Sequence, residues 1–202
     1  MLPLLTACRN FTSTIMHIIT ALLVALMLAC SSSAFAQNIT YPGKPPLRQY
    51  TNSNLGMQVG FPADWKLDRP LKNEIWLAVG TLRGHGAACF VRLSAVEGLR
   101  LSEPETYFAQ ASERDFVKLN SIAMPDIRMH LFDMAYLGGR KARRAVYSGT
   151  DSGVKTGTVT YQTLDGHRIV TLGCVSEAST FQLLYNDFEA VAASFRFVAR
   201  SR

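Results

Sequence analysis

Few residues of this chain have the types and spacing that catalysis needs. Asp151-Ser152-Gly153 contains the residue types of an aspartic protease motif and of a serine nucleophile. An aspartic protease motif would follow an apolar strand, whereas this one follows the polar segment Ser148-Gly149-Thr150. A serine hydrolase would need a supporting histidine motif and a glycine run for an oxyanion hole, and neither accompanies it. The three residues therefore indicate a polar turn.

The histidines and cysteines do not have the spacing of a metal site. His85 lies between two glycines, His130 in a predicted strand and His167 after a predicted turn, so no two of them have the spacing of a metal-binding helix. Cys89 and Cys174 are far apart in the sequence, unlike the paired ligands of a zinc site. We therefore predict no metal, no cofactor and no catalytic residue.

His85 is the histidine that these arguments explain least. The glycines around it, from Gly80 to Gly86, lack the spacing of a phosphate-binding loop. We expect His85 to be a solvated loop residue. A hydrolase with an unrecognised site around His85 or Asp151 stays open as an alternative.

The densest positive charge lies in Arg140-Lys141-Ala142-Arg143-Arg144. In an extended strand, Arg140 and Arg144 would share one face, and Lys141 and Arg143 the other. One interpretation is a charged edge strand that blocks aggregation. The other is a surface for an anionic lipid or an acidic partner. Nucleic acid is not expected as a partner, because no basic–aromatic motif is present.

Alternating apolar residues predict the strands that would position these groups. They cover residues 57–61, 74–80, 88–96, 127–137, 141–149, 156–164 and 167–175. Glycine-containing segments separate the last four strands, and Asp165-Gly166 is a strong hairpin signal. Strands in series with hairpin turns predict an α+β fold with an antiparallel sheet.

Two amphipathic helices complete the predicted elements. The first begins at a capping box between Ser102 and Glu105. Its residues along one side are Phe108, Ser112, Phe116 and Leu119. The second is capped by Ser179 or Thr180. Its apolar residues are Phe181, Leu184, Tyr185, Phe188, Val191, Ala192 and Phe195.

The N-terminal segment has the pattern of a secretory signal peptide. Residues 15–29 are apolar, Arg9 precedes them and Ala34-Phe35-Ala36 forms a cleavage site, so we predict a signal peptide over residues 1–36 and export to the periplasm or the medium. One alternative is cleavage before Cys30, whose context Leu28-Ala29-Cys30 resembles a lipoprotein box and would give a lipid-anchored envelope protein. A retained N-terminal anchor helix is the other alternative.

Composition is that of a globular chain. Of the 202 residues, 48% are hydrophobic and 18% are charged, which excludes a disordered protein. The predicted leader holds one of the 21 basic residues and none of the 15 acidic ones, so the remaining chain has a net charge of +5. Residues 37–49 are rich in proline and predict an extended arm. We expect a single domain over residues 50–202.

Three segments together carry a resemblance to a known family. They are residues 55–65, which end in Phe61-Pro62-Ala63-Asp64-Trp65, the hairpin over residues 137–142, and Phe188-Glu189 followed by Ser194-Phe195-Arg196-Phe197. Over residues 50–198 the chain resembles the PsbP-like superfamily, which includes the photosystem II extrinsic protein, a nuclear Ran-binding relative and many secreted bacterial proteins.

The resemblance implies a central antiparallel sheet of about six to seven strands, covered by helices on both faces. It also implies a binding or accessory role and no enzyme. Some bacterial relatives act as chaperones that shelter apolar helices. The Ran-binding members use an acidic surface, which the net charge of +5 does not match. We therefore expect an exported, non-enzymatic binding or accessory module with a protein partner in the cell envelope.

The sequence also predicts core residues and a disulfide. Cys89 shares its strand face with Val91 and Leu93, and Cys174 shares its own with Val170 and Leu172. Both cysteines should therefore point into the core, and an oxidising compartment would favour a bond between them. Two separate buried thiols are the alternative. The large side chains expected in the core are Trp65, Trp76, Phe108, Phe188 and Phe195.

Overall fold

Antiparallel strands dominate the computed structural model, which describes residues 46–68, 74–95, 108 and 112–201. The strands are β1 (Leu47–Asn52), β2 (Met57–Pro62), β3 (Lys66–Asp68), β4 (Glu74–Leu82), β5 (His85–Ala95), β6 (Arg128–Leu137), β7 (Arg140–Asp151), β8 (Val154–Asp165), β9 (Arg168–Glu177) and β10 (Arg196–Phe197). The helices are α1 (Glu113–Asn120) and α2 (Ala178–Ser194). The predicted signal peptide and Cys30 lie outside the described residues, as do Ser102 and Glu105.

Two-residue turns connect β4 with β5, β6 with β7, β7 with β8 and β8 with β9. Both turn residues have a positive φ in Arg83-Gly84, Gly138-Gly139 and Ser152-Gly153. This geometry follows the right-handed twist of the flanking strands, and glycine adopts it without a steric cost. The predicted hairpins are therefore present, with Ser152-Gly153 as a turn and Asp151 as the last residue of β7.

The strands form two antiparallel sheets. The large sheet has the order β3-β4-β5-β9-β8-β7-β6, and the small sheet has the order β1-β2-β10. Sequence neighbours pair throughout the large sheet except at β5 and β9, which come from distant parts of the chain. The seven-stranded sheet agrees with the predicted size, and the small sheet was not expected.

The core lies between α2 and the face of the large sheet that carries Cys89 and Cys174, called here the helix face. Phe188 and Phe195 are fully buried there. Gly157 lets α2 approach closely, because a Cβ at this position would lie 2.4 Å from Cγ of Phe181. The five large side chains predicted for the core are all buried: Trp65, Trp76, Phe108, Phe188 and Phe195.

The opposite face of the large sheet carries Thr156, Thr158 and Thr160 and is called here the threonine face. Helix α1 packs on it through Phe116, whose ring centroid lies 5.5 Å from that of Tyr147. The antiparallel α+β fold is thus confirmed, whereas the covering of both faces by helices is seen in the described residues only as α2 on one side and the short α1 on the other.

The starts of several elements differ from the predictions. Strand β1 begins at Leu47, inside the predicted arm, and pairs along its whole length with β2. The residues of β1, LRQYTN, do not alternate between apolar and polar types, so the sequence contains no strand signal there. Helix α1 begins after Ser112, which accepts a hydrogen bond from the Asp115 amide as its cap. Ser112 is therefore not an interior residue, and Leu119 is 64% exposed rather than packed.

Three further predictions were wrong in detail. Helix α2 begins at Ala178 after Glu177, without a side-chain cap, so Ser179 and Thr180 lie inside its first turn. His85 is the first residue of β5 and not a loop residue. The strand that carries the basic residues, β7, is not an edge strand, because it lies between β6 and β8.

In the part of the chain that the structure describes, neither helix combines the length and apolar character needed to cross a membrane.

Candidate functional site

A cavity of about 260 Å³ opens between the threonine face and α1. Strands β5, β7, β8 and β9 form its floor, and α1 with the residues after it forms one wall. The lining residues are Phe90, Arg92, Ser94, Phe116, Asn120, Ala123, Met124, Tyr147, Asp151, Thr156, Thr158, Thr160, Gln162, Thr171 and Val175. Hydroxyl groups and aromatic rings therefore lie together in one concave surface.

The sequence of β8 explains why this floor is polar. Threonines occupy every second position from Thr156 to Thr160, so their side chains point to the same face. The intervening residues of the strand face the core. Gly173 on the adjacent strand makes room for the ring of Phe90, because a Cβ there would lie 2.4 Å from Cζ of Phe90. The floor thus combines short polar side chains with one ring that packs against the backbone at Gly173.

The hydroxyl of Thr160 is buried and has no hydrogen-bond partner among the described residues. The residue is 5% exposed and lines the cavity. Its neighbour Thr156 donates to the Gly149 carbonyl over 3.4 Å. A buried polar atom without a partner costs free energy. The Thr160 hydroxyl is therefore a group that a polar ligand could satisfy.

Asp151 supplies the carboxylate of the cavity. The residue is 9% exposed. Burial raises the pKa of Asp151 above its ordinary value, and a hydrogen bond from the Ser152 hydroxyl, 3.2 Å long, opposes the rise. Burial also raises the pKa of Tyr147 to about 12, with the charge of Arg92 opposing the rise and that of Asp151 adding to it. The cavity therefore holds an acidic group whose ionisation costs free energy.

Arg92 supplies the positive charge. Its Cζ lies 5.3 Å from the ring centroid of Phe90, in the range of a cation–π contact. Arg92 and Asp151 both line the cavity, together with the hydroxyls of β8. This combination suits recognition of a polar ligand through hydrogen bonds and charge.

The described lining of the cavity contains a carboxylate and hydroxyls but no histidine. His85, which the enzyme hypothesis requires beside a carboxylate and a hydroxyl, is not among its described lining residues. A different pair has the distance of a nucleophile and its base, since His130 Nε2 lies 2.7 Å from Ser148 Oγ. This pair is exposed, and no carboxylate of the described residues bonds to His130; Asp126 bonds to the Thr150 amide and hydroxyl instead. The described residues also contain no group of three or more side chains that could hold a metal ion.

The four basic residues of β7 do not form one patch. As expected from their alternation, Arg140 and Arg144 lie on the helix face and Lys141 and Arg143 on the threonine face. Arg144 forms ion pairs with Asp133 and Glu189. Arg140 instead forms an ion pair with Asp165.

Arg143 is held on the other face by two contacts. Its guanidinium carbon lies 4.5 Å from the ring centroid of Phe132. Its Nη2 donates to the Phe108 carbonyl over 2.5 Å. Arg143 therefore links β6 with the segment that contains Phe108.

The disulfide is present between Cys89 and Cys174, which are directly opposed in the pairing of β5 with β9. Their Cα atoms are 4.1 Å apart. The two residues are 0% and 2% exposed and belong to the core, as predicted. The bond ties the two segments of the large sheet together at its centre.

No family model and no curated protein matches this chain. Solved structures do match it. The solution structure of cyanobacterial PsbP (CyanoP) from Synechocystis sp. PCC 6803 is 13% identical, with a TM-score of 0.55, and the match covers 84% of this chain and 99% of that chain. The crystal structure of LpqN, involved in cell envelope biogenesis of Mycobacterium tuberculosis, is 14% identical, with a TM-score of 0.53, and the match covers 75% of this chain and 84% of that chain. The chain therefore has a PsbP-like fold, as the sequence motifs predicted.

Proposed function

We propose that the protein is an exported, non-catalytic accessory module of the cell envelope, which binds a polar group of its partner in the cavity on the threonine face. The observation that carries this proposal is the buried hydroxyl of Thr160 in the cavity floor, which has no hydrogen-bond partner in the described part of the chain. Around it lie a carboxylate, a guanidinium and aromatic rings, but no described histidine. Such a combination of hydroxyls, charges and rings suits recognition of a polar group.

Export is supported by the disulfide and by the predicted leader. Disulfides persist in oxidising compartments and are rare in the cytosol. The bond between Cys89 and Cys174 is buried in the core, which indicates a structural role. The fold is shared with LpqN, a protein involved in cell envelope biogenesis, and with CyanoP. The lipid-anchored form through Cys30 is the second candidate, because Leu28-Ala29-Cys30 resembles a lipoprotein box.

Mass spectrometry of the N-terminus of the full-length chain, expressed in a bacterial envelope, tests export. A mature chain that begins at Gln37 is expected. A diacylated Cys30 would replace the soluble form with the lipid-anchored one. An intact Met1 on protein that stays in the cytoplasm would contradict export.

Site-specific photocrosslinking tests the binding role of the cavity. A photoreactive residue at Asn120, on the cavity wall, is expected to capture a discrete envelope component. The same residue at Leu183, which is 52% exposed on α2, serves as the matched control. Thr160→Val should weaken the capture from position 120, because valine keeps the shape of threonine without its hydroxyl. Equal capture from positions 120 and 183, or no effect of Thr160→Val, would contradict the proposed site.

A further inference from the structure

Three arginines converge on one carboxylate at the end of the large sheet. Arg140 Nη1 lies 3.1 Å from Asp165 Oδ1, and Arg200 Nη2 lies 2.5 Å from Asp165 Oδ2. Arg168 donates to the same Oδ2 atom. Arg140, Arg168 and Arg200 around Asp165 are called here the arginine cluster.

The arginine cluster carries more positive charge than its carboxylate can neutralise. Its three guanidinium groups share one Asp165, which leaves a formal charge of +2. Burial by itself would raise the pKa of Asp165, but hydrogen bonds from Arg168 and Arg140 and the charge of Arg200 hold that pKa below its ordinary value. Asp165 therefore stays ionised at neutral pH, and the charge of the cluster does not change there.

Two other half-buried arginines, Arg83 and Arg144, are each balanced by carboxylates. Arg83 forms a two-pronged ion pair with Asp187, with distances of 2.6 and 3.1 Å. Arg144 lies 2.7 Å from a carboxylate oxygen of Asp133 and 3.6 Å from one of Glu189. The excess of arginine over carboxylate in the arginine cluster is therefore not seen at these two sites.

The guanidinium groups of the cluster are fixed before any ligand arrives. Arg140 lies over the ring of Phe197, with its Cζ 3.5 Å from the ring centroid, and donates to the Leu164 carbonyl over 2.8 Å. The backbone that carries Arg200 is held by two hydrogen bonds, from the Val198 amide to Gly56 and from the Ser201 amide to Ser53. Groups that are already ordered lose little entropy on binding a ligand.

The cluster is also open to solvent on its outer side. The side chains of Arg140, Arg168 and Arg200 are 40%, 28% and 54% exposed, whereas that of Asp165 is 10% exposed. Each guanidinium has five N–H donors in a planar fork, and the bonds to Asp165 use only some of them. The outward donors can therefore reach a ligand while Asp165 holds the inward ones.

We infer that the arginine cluster is a binding site for a phosphomonoester group. A phosphate dianion matches the excess charge of +2, and its terminal oxygens match the forks of three guanidinium groups. A carboxylate would neutralise only half of the excess. The phosphate could be free or could belong to a lipid headgroup such as phosphatidic acid, because both present the same group.

Isothermal titration of the full-length chain with inorganic phosphate at low salt tests the inference. Saturable binding is expected for the wild type. Arg200→Gln and Arg168→Gln should each weaken it by about tenfold, the usual effect of losing one charge-assisted hydrogen bond. Arg128→Gln is the matched control, because it removes the same charge from an exposed position of β6. Arg200→Gln keeps the test valid if Arg168→Gln does not fold, since Arg200 is the most exposed member.

Two results would overturn the inference. One is a wild-type protein that does not bind phosphate. The other is an equal loss of phosphate affinity in Arg128→Gln and Arg200→Gln. That result would indicate that phosphate responds to the net positive charge of the protein and not to a local site. Vesicles of phosphatidylcholine with and without phosphatidic acid then separate the sources. Binding to phosphatidic acid that Arg200→Gln reduces and Arg128→Gln does not would assign the lipid headgroup, and phosphate binding without vesicle binding would assign the free ion.

Discussion

Cys89 and Cys174 are directly opposed on β5 and β9, and their disulfide joins strands that are 85 residues apart in the sequence. Every other neighbouring pair of strands in the large sheet is also consecutive in the chain. The bond therefore reinforces the one strand pairing of this sheet that local turns do not hold.

Removing the disulfide should destabilise the protein strongly. Cys89→Ala combined with Cys174→Ala is expected to lower the free energy of unfolding by up to about 4–5 kcal/mol, because the bond closes a long loop in the unfolded chain. Urea denaturation measures the loss, and reduced wild-type protein should lose a similar amount. Alkylation of both cysteines in denatured, unreduced wild-type protein would show that the bond is absent.

Phe188 should be one of the most sensitive core positions. It is fully buried in α2, so Phe188→Ala is expected to lower the free energy of unfolding by about 3–5 kcal/mol through lost burial and the cavity left behind. Leu183→Ala on the same helix is the control. Leu183 is 52% exposed, and its truncation should change the stability by at most about 0.5 kcal/mol. Equal effects at the two positions would contradict the orientation of α2.

The ionised carboxylate of Asp151 should lower the free energy of unfolding at neutral pH. Burial raises the pKa of Asp151, so the folded protein holds this proton more tightly than the unfolded chain does. This loss of stability is fully present when the pH is above the pKa of Asp151 in the folded protein. It disappears as the pH falls below the pKa of an aspartate in the unfolded chain, about 3.9. Asp151→Asn should therefore raise the melting temperature at pH 7 and have little effect at acidic pH. A lower melting temperature of Asp151→Asn at pH 7 would show that the carboxylate is stabilised by a partner.

Gly157 should be required for the seating of α2 on the sheet. Gly157→Ala would place a Cβ 2.4 Å from Cγ of Phe181, and overpacking of this kind costs about 1–3 kcal/mol. The double variant Gly157→Ala with Phe181→Ala separates this contact from other effects. Its loss of stability should be smaller than the sum of the two single losses, because alanine removes the Cγ and Cδ2 atoms that the new methyl group would meet. Strict additivity would indicate that the two residues do not meet.

Local patterns predicted most of the strands well. From β6 to β9, period-two alternation ends at each turn in a glycine that needs a positive φ, as at Gly153 and Gly166. The alternation and the turn glycines each involve only a few neighbouring residues, so they can be recognised from the sequence alone. Strand β1 lacked them, because it is largely exposed and is defined by its pairing with β2.

Features that depend on strand order could not be predicted in the same way. The sequence is compatible with a disulfide and with two separate thiols, and the pairing of β5 with β9 decides between them. The alternation of Thr156, Thr158 and Thr160 indicates a polar face on this strand. It does not predict that α1 packs over that face and closes a cavity. The arginine cluster had no signal, because Arg140 and Arg200 are brought together only by the turn after β6 and the path of the C-terminal segment along β2.

The seam between β5 and β9 divides the large sheet into two parts that are each continuous in sequence. One part contains β3, β4 and β5, and the other contains β6, β7, β8 and β9. Each part can form through pairings between consecutive strands. Docking of one part on the other needs the long-range pairing of β5 with β9, so we expect docking to be the slower step of folding. A protease cut between β5 and β6 in the oxidised protein would leave two fragments that are still covalently joined through Cys89 and Cys174. Such a nicked molecule would migrate as one species until it is reduced.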